Sequence, residues 1–222
     1  MVSVTKRIEQ IQQPRLGFVP VASMERFDEI YDRSEIQPLN SPSEKATQGM
    51  VVDYMTRFLI GFSRDKAFEI SLKGADYVGS PSAATNLLNN INGLDDKSIR
   101  SACSLVGYDV AYRRGISPKI IDREAVDKKI IDNIKILVTR SKKFLEKVGP
   151  VTECGFTFEG GYNDIIAAGD GDFITDDTIW DFKVSENAPD SKSTLQILIY
   201  YILGYKSGKP IYRNIKNIGI YN

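Results

Sequence analysis

Apolar residues recur along this chain with two different periods, and the change comes near residue 150. Three segments have apolar residues at helical spacing or are apolar nearly all round, which predicts helices over 44–62, 122–147 and 191–206. The region around 80–110 suggests short helices punctuated by Gly93 and Gly107. Four others are typical of β-strands: 151–158, 163–175, 178–185 and a last one near 211–221. This order predicts an α/β fold, with a small mixed sheet flanked by helices and a helical N-terminal elaboration.

The predicted organisation is a single domain over residues 1–222 with three parts. The first, 1–45, is polar and interrupted by prolines, and is expected to pack across the body as an arm or to stay partly mobile. The second, 46–150, is mainly helical, and its first helix begins at Ser41–Ser43 with Glu44. The third, 151–222, is the β-rich core.

Two short β runs at 168–175 and 178–184 flank an Asp-Asp turn, which predicts a hairpin. A two-residue loop sets Asp172 opposite Asp181. Because side chains alternate along a strand, one face carries the charged residues Asp170, Asp172, Asp181 and Lys183. The opposite face carries the aromatic residues Phe173, Trp180 and Phe182.

Opposed carboxylates repel each other, and Asp is a poor strand former. A cation would hold them together: hard oxygen ligands favour Mg²⁺ or Mn²⁺, and Lys183 adds a fixed positive charge. An exposed hairpin with surface charges is an alternative, as is a glycosyltransferase-like D-x-D motif, which leaves Lys183 unexplained. A calcium loop is excluded, because Ile174 lacks a side-chain oxygen and Thr175 replaces the turn glycine. A phosphate loop is excluded because no G-K-[ST] follows Gly169 and Gly171.

Asp172, Asp181 and Lys183 form the pattern D-(x)n-(D/E)-x-K, and Gln196 and Tyr200 form Q-x-x-x-Y on the helix that follows. Together they resemble the PD-(D/E)XK nuclease superfamily, in its RecB-type or phage-exonuclease-like branch. The first pattern alone is weak, whereas the hairpin followed at this distance by the helix motif is considerably more specific. The resemblance covers most of the chain after the arm.

The resemblance implies a restriction-endonuclease-like core that hydrolyses DNA phosphodiester bonds with Mg²⁺ or Mn²⁺. The residues implied as catalytic are Asp172, Asp181, Lys183, Gln196 and Tyr200. Asp172 and Asp181 are implied to bind the metal, with the Val184 carbonyl as a further ligand, while Lys183 orients the attacking water. For the two helix residues the alternatives are a satisfied core amide and simple packing.

The expected partner is single- or double-stranded DNA. Exonuclease-like action is expected because the Q-x-x-x-Y branch is rich in such enzymes. A structure-specific or restriction-like endonuclease is one alternative, and a catalytically silent nucleic-acid-binding module on the same fold is another.

Gly49 and Asp53 lie four residues apart on the first predicted helix. RecB-type nucleases often show G-x-x-x-H there, so the resemblance places Asp53 at the position of a metal-binding histidine. A carboxylate suits Mg²⁺ at least as well, and Gly49 is expected to let the helix approach the sheet closely. The alternative is an ordinary solvent-facing aspartate.

Charges balance, with 29 basic and 29 acidic residues, so no global field indicates nucleic acid. Within the locally basic stretch 111–150, Arg113 and Arg114 follow Tyr112 on a predicted turn and are candidate DNA-binding residues, although a solvated helix face is the default interpretation. The chain has no histidine. Acid–base chemistry would then fall to carboxylates, lysine or water held by the metal.

Cys103 and Cys154 are the two cysteines, which predict neither a disulfide framework nor a zinc site. Some RecB-type relatives carry an iron–sulfur cluster on four cysteines, so none is expected here. The first residues lack an apolar leader, and the longest apolar run, Ile197–Leu203, is too short to span a bilayer. A cytoplasmic location without a membrane partner is therefore expected.

Overall fold

The protein has an α/β architecture in which a small mixed sheet is flanked by helices. The structure is a computed structural model that describes residues 1–26, 33–185 and 187–222. The expected α/β class and the small mixed sheet are confirmed. Among the described residues, no helix has the length and apolar character needed to cross a bilayer.

The chain divides into two compact units. One consists of Met1–Ile30 together with Leu145–Asn222, and the other is Tyr31–Phe144. The predicted arm over 1–45 is therefore shared between the two units. A single domain over 1–222 stays a prediction, because compact units can be parts of one functional domain.

The strands are β1 (Val2–Ser3), β2 (Glu153–Thr157), β3 (Ile166–Ala168), β4 (Asp170–Ile174), β5 (Thr178–Phe182) and β6 (Asn217–Tyr221). The α-helices are α1 (Val4–Gln10), α2 (Pro42–Leu59), α3 (Arg64–Ala67), α4 (Glu69–Tyr77), α5 (Pro81–Asn89), α6 (Asp96–Leu105), α7 (Asp109–Arg114), α8 (Lys128–Val148) and α9 (Ser191–Ser207). Short 3-10 turns cover Val21–Ser23, Arg33–Glu35, Val106–Tyr108, Arg123–Ala125 and Pro210–Tyr212.

The larger sheet has the strand order β2-β4-β5-β6. Strands β2, β4 and β5 pair antiparallel, whereas β6 runs parallel to β5 and is reached through the crossover helix α9. Every residue of β5, the third strand of this sheet, is buried. A carboxylate in β5 is therefore held away from water.

The core of the first unit joins α1, α9 and the sheet. Its buried members are Val4, Ile8, Phe156, Phe158, Ile166, Ile174, Ile179, Leu195, Ile197, Ile199, Tyr200, Leu203, Tyr212 and Ile215. Strand β1 pairs parallel with β3 in a separate two-stranded sheet, and α1 buries Val4 and Ile8. The first residues of the predicted arm thus pack on the core.

Helix α2 begins at the predicted place through a capping box. The Ser41 hydroxyl accepts the Glu44 N–H at 3.2 Å, and the Glu44 carboxylate accepts the Ser41 N–H at 3.2 Å. Pro42 occupies the first turn, where its missing N–H costs no hydrogen bond.

A buried aspartate links three helices of the second unit. Asp109 on α7 accepts the Tyr54 hydroxyl of α2 at 2.6 Å and the Ser71 hydroxyl of α4 at 2.5 Å. Burial raises the pKa of Asp109, and the two hydroxyl bonds lower it. A Cβ on Gly74 would collide with the Tyr108 carbonyl, so α4 can pack closely against the turn before α7 only with glycine there.

The long helix predicted from 122 begins later, at Lys128. Two aspartates explain the delay, because Asp side chains compete for nearby backbone N–H groups. Asp122 accepts the Glu124 N–H at 3.1 Å and starts a separate 3-10 turn, and Asp127 accepts the Lys129 N–H at 3.0 Å. The predicted end is confirmed: the helix stops at Val148.

The run 163–175, predicted as one strand, is broken at Gly169 into β3 and β4, which belong to different sheets. The Tyr162 hydroxyl donates to the Gly169 carbonyl at 2.7 Å, and a Cβ on Gly169 would lie 2.7 Å from a Val4 methyl. The tertiary contacts of Gly169 determine this break, and a single run of β-forming residues does not reveal them. No element was predicted over 63–79, where α3 and α4 lie.

Two helical glycines should respond oppositely to alanine. Gly204→Ala places a Cβ 2.7 Å from the Tyr212 ring, which stacks on Phe158 at 5.8 Å and donates to the Thr157 carbonyl at 2.8 Å. Because that ring is held in place, overpacking should lower the free energy of unfolding by about 1–3 kcal/mol. In Gly49→Ala the new Cβ meets no described heavy atom within 4 Å, so the free energy of unfolding should rise by about 0.5–1 kcal/mol.

Urea unfolding of both variants measures this contrast. Each substitution makes the same intrinsic change in helix propensity. A similar change in the free energy of unfolding of both variants would therefore show that the Tyr212 ring moves aside freely.

Candidate metal site at the end of the hairpin

The hairpin of β4 and β5 has the register that a two-residue turn predicts, with Phe173 opposite Trp180. Asp172 and Asp181 are the next opposed positions. The Asp172 carboxylate accepts the Phe182 N–H at 2.7 Å, so this side chain takes up a backbone donor of the neighbouring strand. The hairpin therefore holds the first aspartate against the second strand at the point where the described pairing of the two strands ends.

Asp181 is buried, with 1% of its side chain exposed, and Lys183 is its counter-charge. The Lys183 Nζ donates to Asp181 Oδ1 at 3.2 Å and lies 2.9 Å from Oδ2. Among the described residues, no donor is aligned for a hydrogen bond with Oδ2. Burial raises the pKa of Asp181, and the neighbouring Lys183 lowers it.

Gln196 and Tyr200 on α9 continue this polar chain. The Lys183 Nζ donates to Gln196 Oε1 at 3.0 Å, and Gln196 Nε2 donates to the Tyr200 hydroxyl at 2.9 Å. A lysine ammonium can only donate, so the amide oxygen must face it. The structure thus brings together Asp181, Lys183, Gln196 and Tyr200 in one connected network.

The carboxylates of the hairpin also act on Tyr200. Burial is the main cause that raises the pKa of its phenol, and Asp172, Asp181 and Asp170 raise it further. Their charges therefore converge on this hydroxyl. At neutral pH the phenol keeps its proton and can serve as a hydrogen-bond donor.

Local sequence features place these side chains. Asp190 caps α9 by accepting the N–H groups of Lys192 at 3.0 Å and Ser193 at 2.9 Å, which sets where the helix starts. Just after β5, the Lys183 N–H donates to the Tyr221 carbonyl of β6 at 2.8 Å. The backbone of the lysine is therefore held by the sheet while its side chain reaches the helix.

The donor set at the end of the hairpin is small but suits a divalent cation. The described residues contain no group of three or more His, Cys, Asp or Glu side chains placed to hold a metal. The site offers the carboxylates of Asp172 and Asp181. Two are enough for Mg²⁺, which usually keeps several waters and binds through one or two carboxylates. Asp181 Oδ2, buried without an aligned donor, is an oxygen suited to such an ion. Asp172 and Asp181 thus fit Mg²⁺ or Mn²⁺.

The Val184 carbonyl stays a predicted further ligand. Val184 is partly buried and directly follows Lys183, beyond the end of β5.

Asp53 lies on α2, in the other compact unit, and has a local partner. Its carboxylate accepts Arg57 Nε at 2.8 Å and Arg57 Nη2 at 2.5 Å. The Arg57 guanidinium also lies over the Tyr54 ring, 5.2 Å from its centroid. The metal role of Asp53 stays a prediction. The close approach expected at Gly49 has no support, because a Cβ there meets no described atom within 4 Å.

Arg113 and Arg114 lie in the last turn of α7 rather than on the predicted turn, and the helix ends after them at the left-handed Gly115. Helix α7 packs against α4, a helix that the sequence does not predict. One signal in the sequence marks the helical stretch that precedes α4: the Ser63 hydroxyl caps α3 by accepting the Lys66 N–H at 3.2 Å.

Comparisons with protein-family models, with curated proteins and with solved structures found no match for this chain. The assignment of the candidate site therefore rests on the residues of this chain alone.

Cys103 and Cys154 are both buried free thiols.

Removal of Lys183 should destabilise the protein more than neutralisation of Asp181. Lys183→Met leaves a buried carboxylate without its cation, which should cost about 3–5 kcal/mol. Asp181→Asn leaves an ammonium group whose side chain is 30% exposed and can be hydrated. The double variant should recover most of the loss, as measured by urea unfolding in EDTA. Losses that simply add in the double variant would show that the two groups are not coupled.

Proposed function

We propose that this protein is a metal-dependent nuclease that hydrolyses DNA phosphodiester bonds. The observation that supports this most strongly is the network around Asp181, in which a buried carboxylate, a lysine, an amide and a phenol are connected beside Asp172. The same residues carry the sequence resemblance to PD-(D/E)XK nucleases.

Each side chain has a distinct role in this proposal. Asp172 and Asp181 hold Mg²⁺ or Mn²⁺, which supplies Lewis-acid stabilisation of the charge that develops on the phosphate. Lys183 orients the attacking water and adds positive charge next to the phosphate. Gln196 holds the Lys183 ammonium in place, and Tyr200 holds the amide of Gln196.

Exonuclease-like cleavage, which starts from the end of a DNA strand, is the favoured mode, as the resemblance to the Q-x-x-x-Y branch implies. DNA is the favoured substrate for the same reason. A cleavage assay on end-labelled linear DNA and closed circular DNA, each single- and double-stranded, with Mg²⁺ or Mn²⁺, decides the mode of attack and shows whether DNA is cleaved.

Asp172→Asn, Asp181→Asn and Lys183→Met should each lower the cleavage rate by about a hundred-fold or more, because each removes charge from the site of phosphate attack. Release of short products from linear DNA with intact circles would identify an exonuclease, and cleavage of circles an endonuclease.

The matched control is Asp176→Asn, which removes the same charge from the exposed tip of the same hairpin and should cleave at the wild-type rate. Wild-type cleavage by folded Asp181→Asn protein would refute the proposed active site.

A metal role for Asp53 predicts two effects of Asp53→Asn. Turnover should fall about tenfold or more, and the rise in melting temperature that Mn²⁺ causes by mass action should shrink. The asparagine carbonyl still offers the buried Arg57 an acceptor but no counter-charge, so both effects are measured at a temperature where the variant is folded. Asp181→Asn serves as the reference for a lost ligand. An aspartate that only pairs with Arg57 would instead leave both turnover and the Mn²⁺ response unchanged.

A further inference from the structure

The second unit carries an exposed aromatic and basic surface that the proposed active site does not use. Helices α4 and α7 form it together. Its residues, which we call the α4–α7 surface, are Lys73, Tyr77, Tyr112, Arg113 and Arg114.

Both tyrosine rings of this surface face solvent and lie along the same helix pair. Tyr77 is 67% exposed and Tyr112 is 50% exposed. The Lys73 Nζ lies 5.7 Å from the centroid of the Tyr112 ring, so α4 contributes a cation to the ring on α7. A Cβ on Gly115 would lie 3.8 Å from the Tyr77 hydroxyl, which therefore reaches the end of α7.

The α4–α7 surface is built on a fixed support. Ser71 of α4 donates to the buried Asp109 of α7, and Gly74 of α4 touches the backbone of Tyr108. These contacts hold the two helices together beneath the exposed rings. A ligand that stacks on such rings needs little reordering of the backbone, which lowers the entropic cost of binding.

Positive charge accompanies the rings. Arg114 is exposed, and the Arg113 side chain is 40% exposed, with its Nε 3.9 Å from Asp109. Lys73 also pairs with Glu69 at 2.6 Å. Cations in the last turn of a helix interact favourably with its dipole, which alone would account for the two arginines. It does not account for two exposed tyrosines at the same place.

We infer that the α4–α7 surface binds single-stranded nucleic acid. Unpaired bases stack on Tyr77 and Tyr112, and Arg113 and Arg114 contact the phosphates. Paired bases in a duplex do not offer their faces to protein rings, so the strand must be single. The inference rests on the proposed function in one respect, namely that a nuclease has to hold the strand it cleaves.

The test is binding of a fluorescein-labelled oligo(dT) strand, followed by anisotropy in EDTA, to protein that carries Asp181→Asn to prevent cleavage. Tyr77→Ala and Tyr112→Ala should each weaken binding by about five- to a hundred-fold. Tyr112→Phe should bind like the parent protein, because it keeps the ring. An oligo(U) strand in parallel shows whether the sugar matters.

Salt dependence separates stacking from charge. Arg113→Gln with Arg114→Gln should reduce the slope of log affinity against log salt concentration by about 0.7 for each lost phosphate contact. The tyrosine variants should leave this slope unchanged.

Two controls match these changes elsewhere in the chain. Tyr205→Ala removes a tyrosine that is 76% exposed on α9, and Lys142→Gln with Lys143→Gln removes two exposed charges from α8. Both should bind oligo(dT) like the parent protein.

Parent-like affinity in Tyr77→Ala and Tyr112→Ala, an equal loss in Tyr205→Ala, or no binding of oligo(dT) by the parent protein would overturn the inference. The binding assay contains no metal and needs no turnover. A protein that binds as described and cleaves nothing would therefore support the α4–α7 surface and refute the proposed nuclease.

Discussion

The charge pair of Asp181 and Lys183 is the constraint on which the proposed site depends. An ionised carboxylate in a fully buried strand costs several kcal/mol unless a partner compensates it. Lys183 supplies that compensation from the residue two positions later, and Gln196 of α9 fixes where the ammonium lies. The contacts that make the buried charge tolerable are thus the same ones that a phosphate-cleaving site would need.

The rest of the first unit keeps this pair in place. Strand β5 lies between β4 and β6, and α9 connects β5 to β6, so the lysine and the amide that accepts its hydrogen bond lie on consecutive elements. Glycines allow the surrounding aromatic side chains to pack tightly: a Cβ on Gly219 would collide with the Trp180 ring, and one on Gly171 with the Phe156 ring. Because these rings fill the core, the polar network has little freedom to rearrange.

Much of the hairpin could be predicted from the sequence, because a two-residue turn fixes the register and the helical period puts Gln196 and Tyr200 on one face. Contacts between elements could not: the hydrogen bond from Lys183 to Gln196 depends on the packing of α9 on the sheet. The break at Gly169 and helix α4 were missed because tertiary contacts, rather than apolar period, determine them. The pairing of Asp53 with Arg57, four residues later, was readable from the spacing.

If it binds nucleic acid as proposed, a chain with 29 charges of each sign would have to do so through short-range contacts, since solution salt screens exposed charges beyond about 8–10 Å. Stacking on tyrosine rings is such a contact and works without a metal. The proposed metal site would behave differently, because the charges of Asp172 and Asp181 would repel a phosphate until a divalent cation neutralised them. The two proposals therefore assign strand binding without metal and strand cleavage with metal to separate sets of side chains. A metal chelator should remove the second and leave the first.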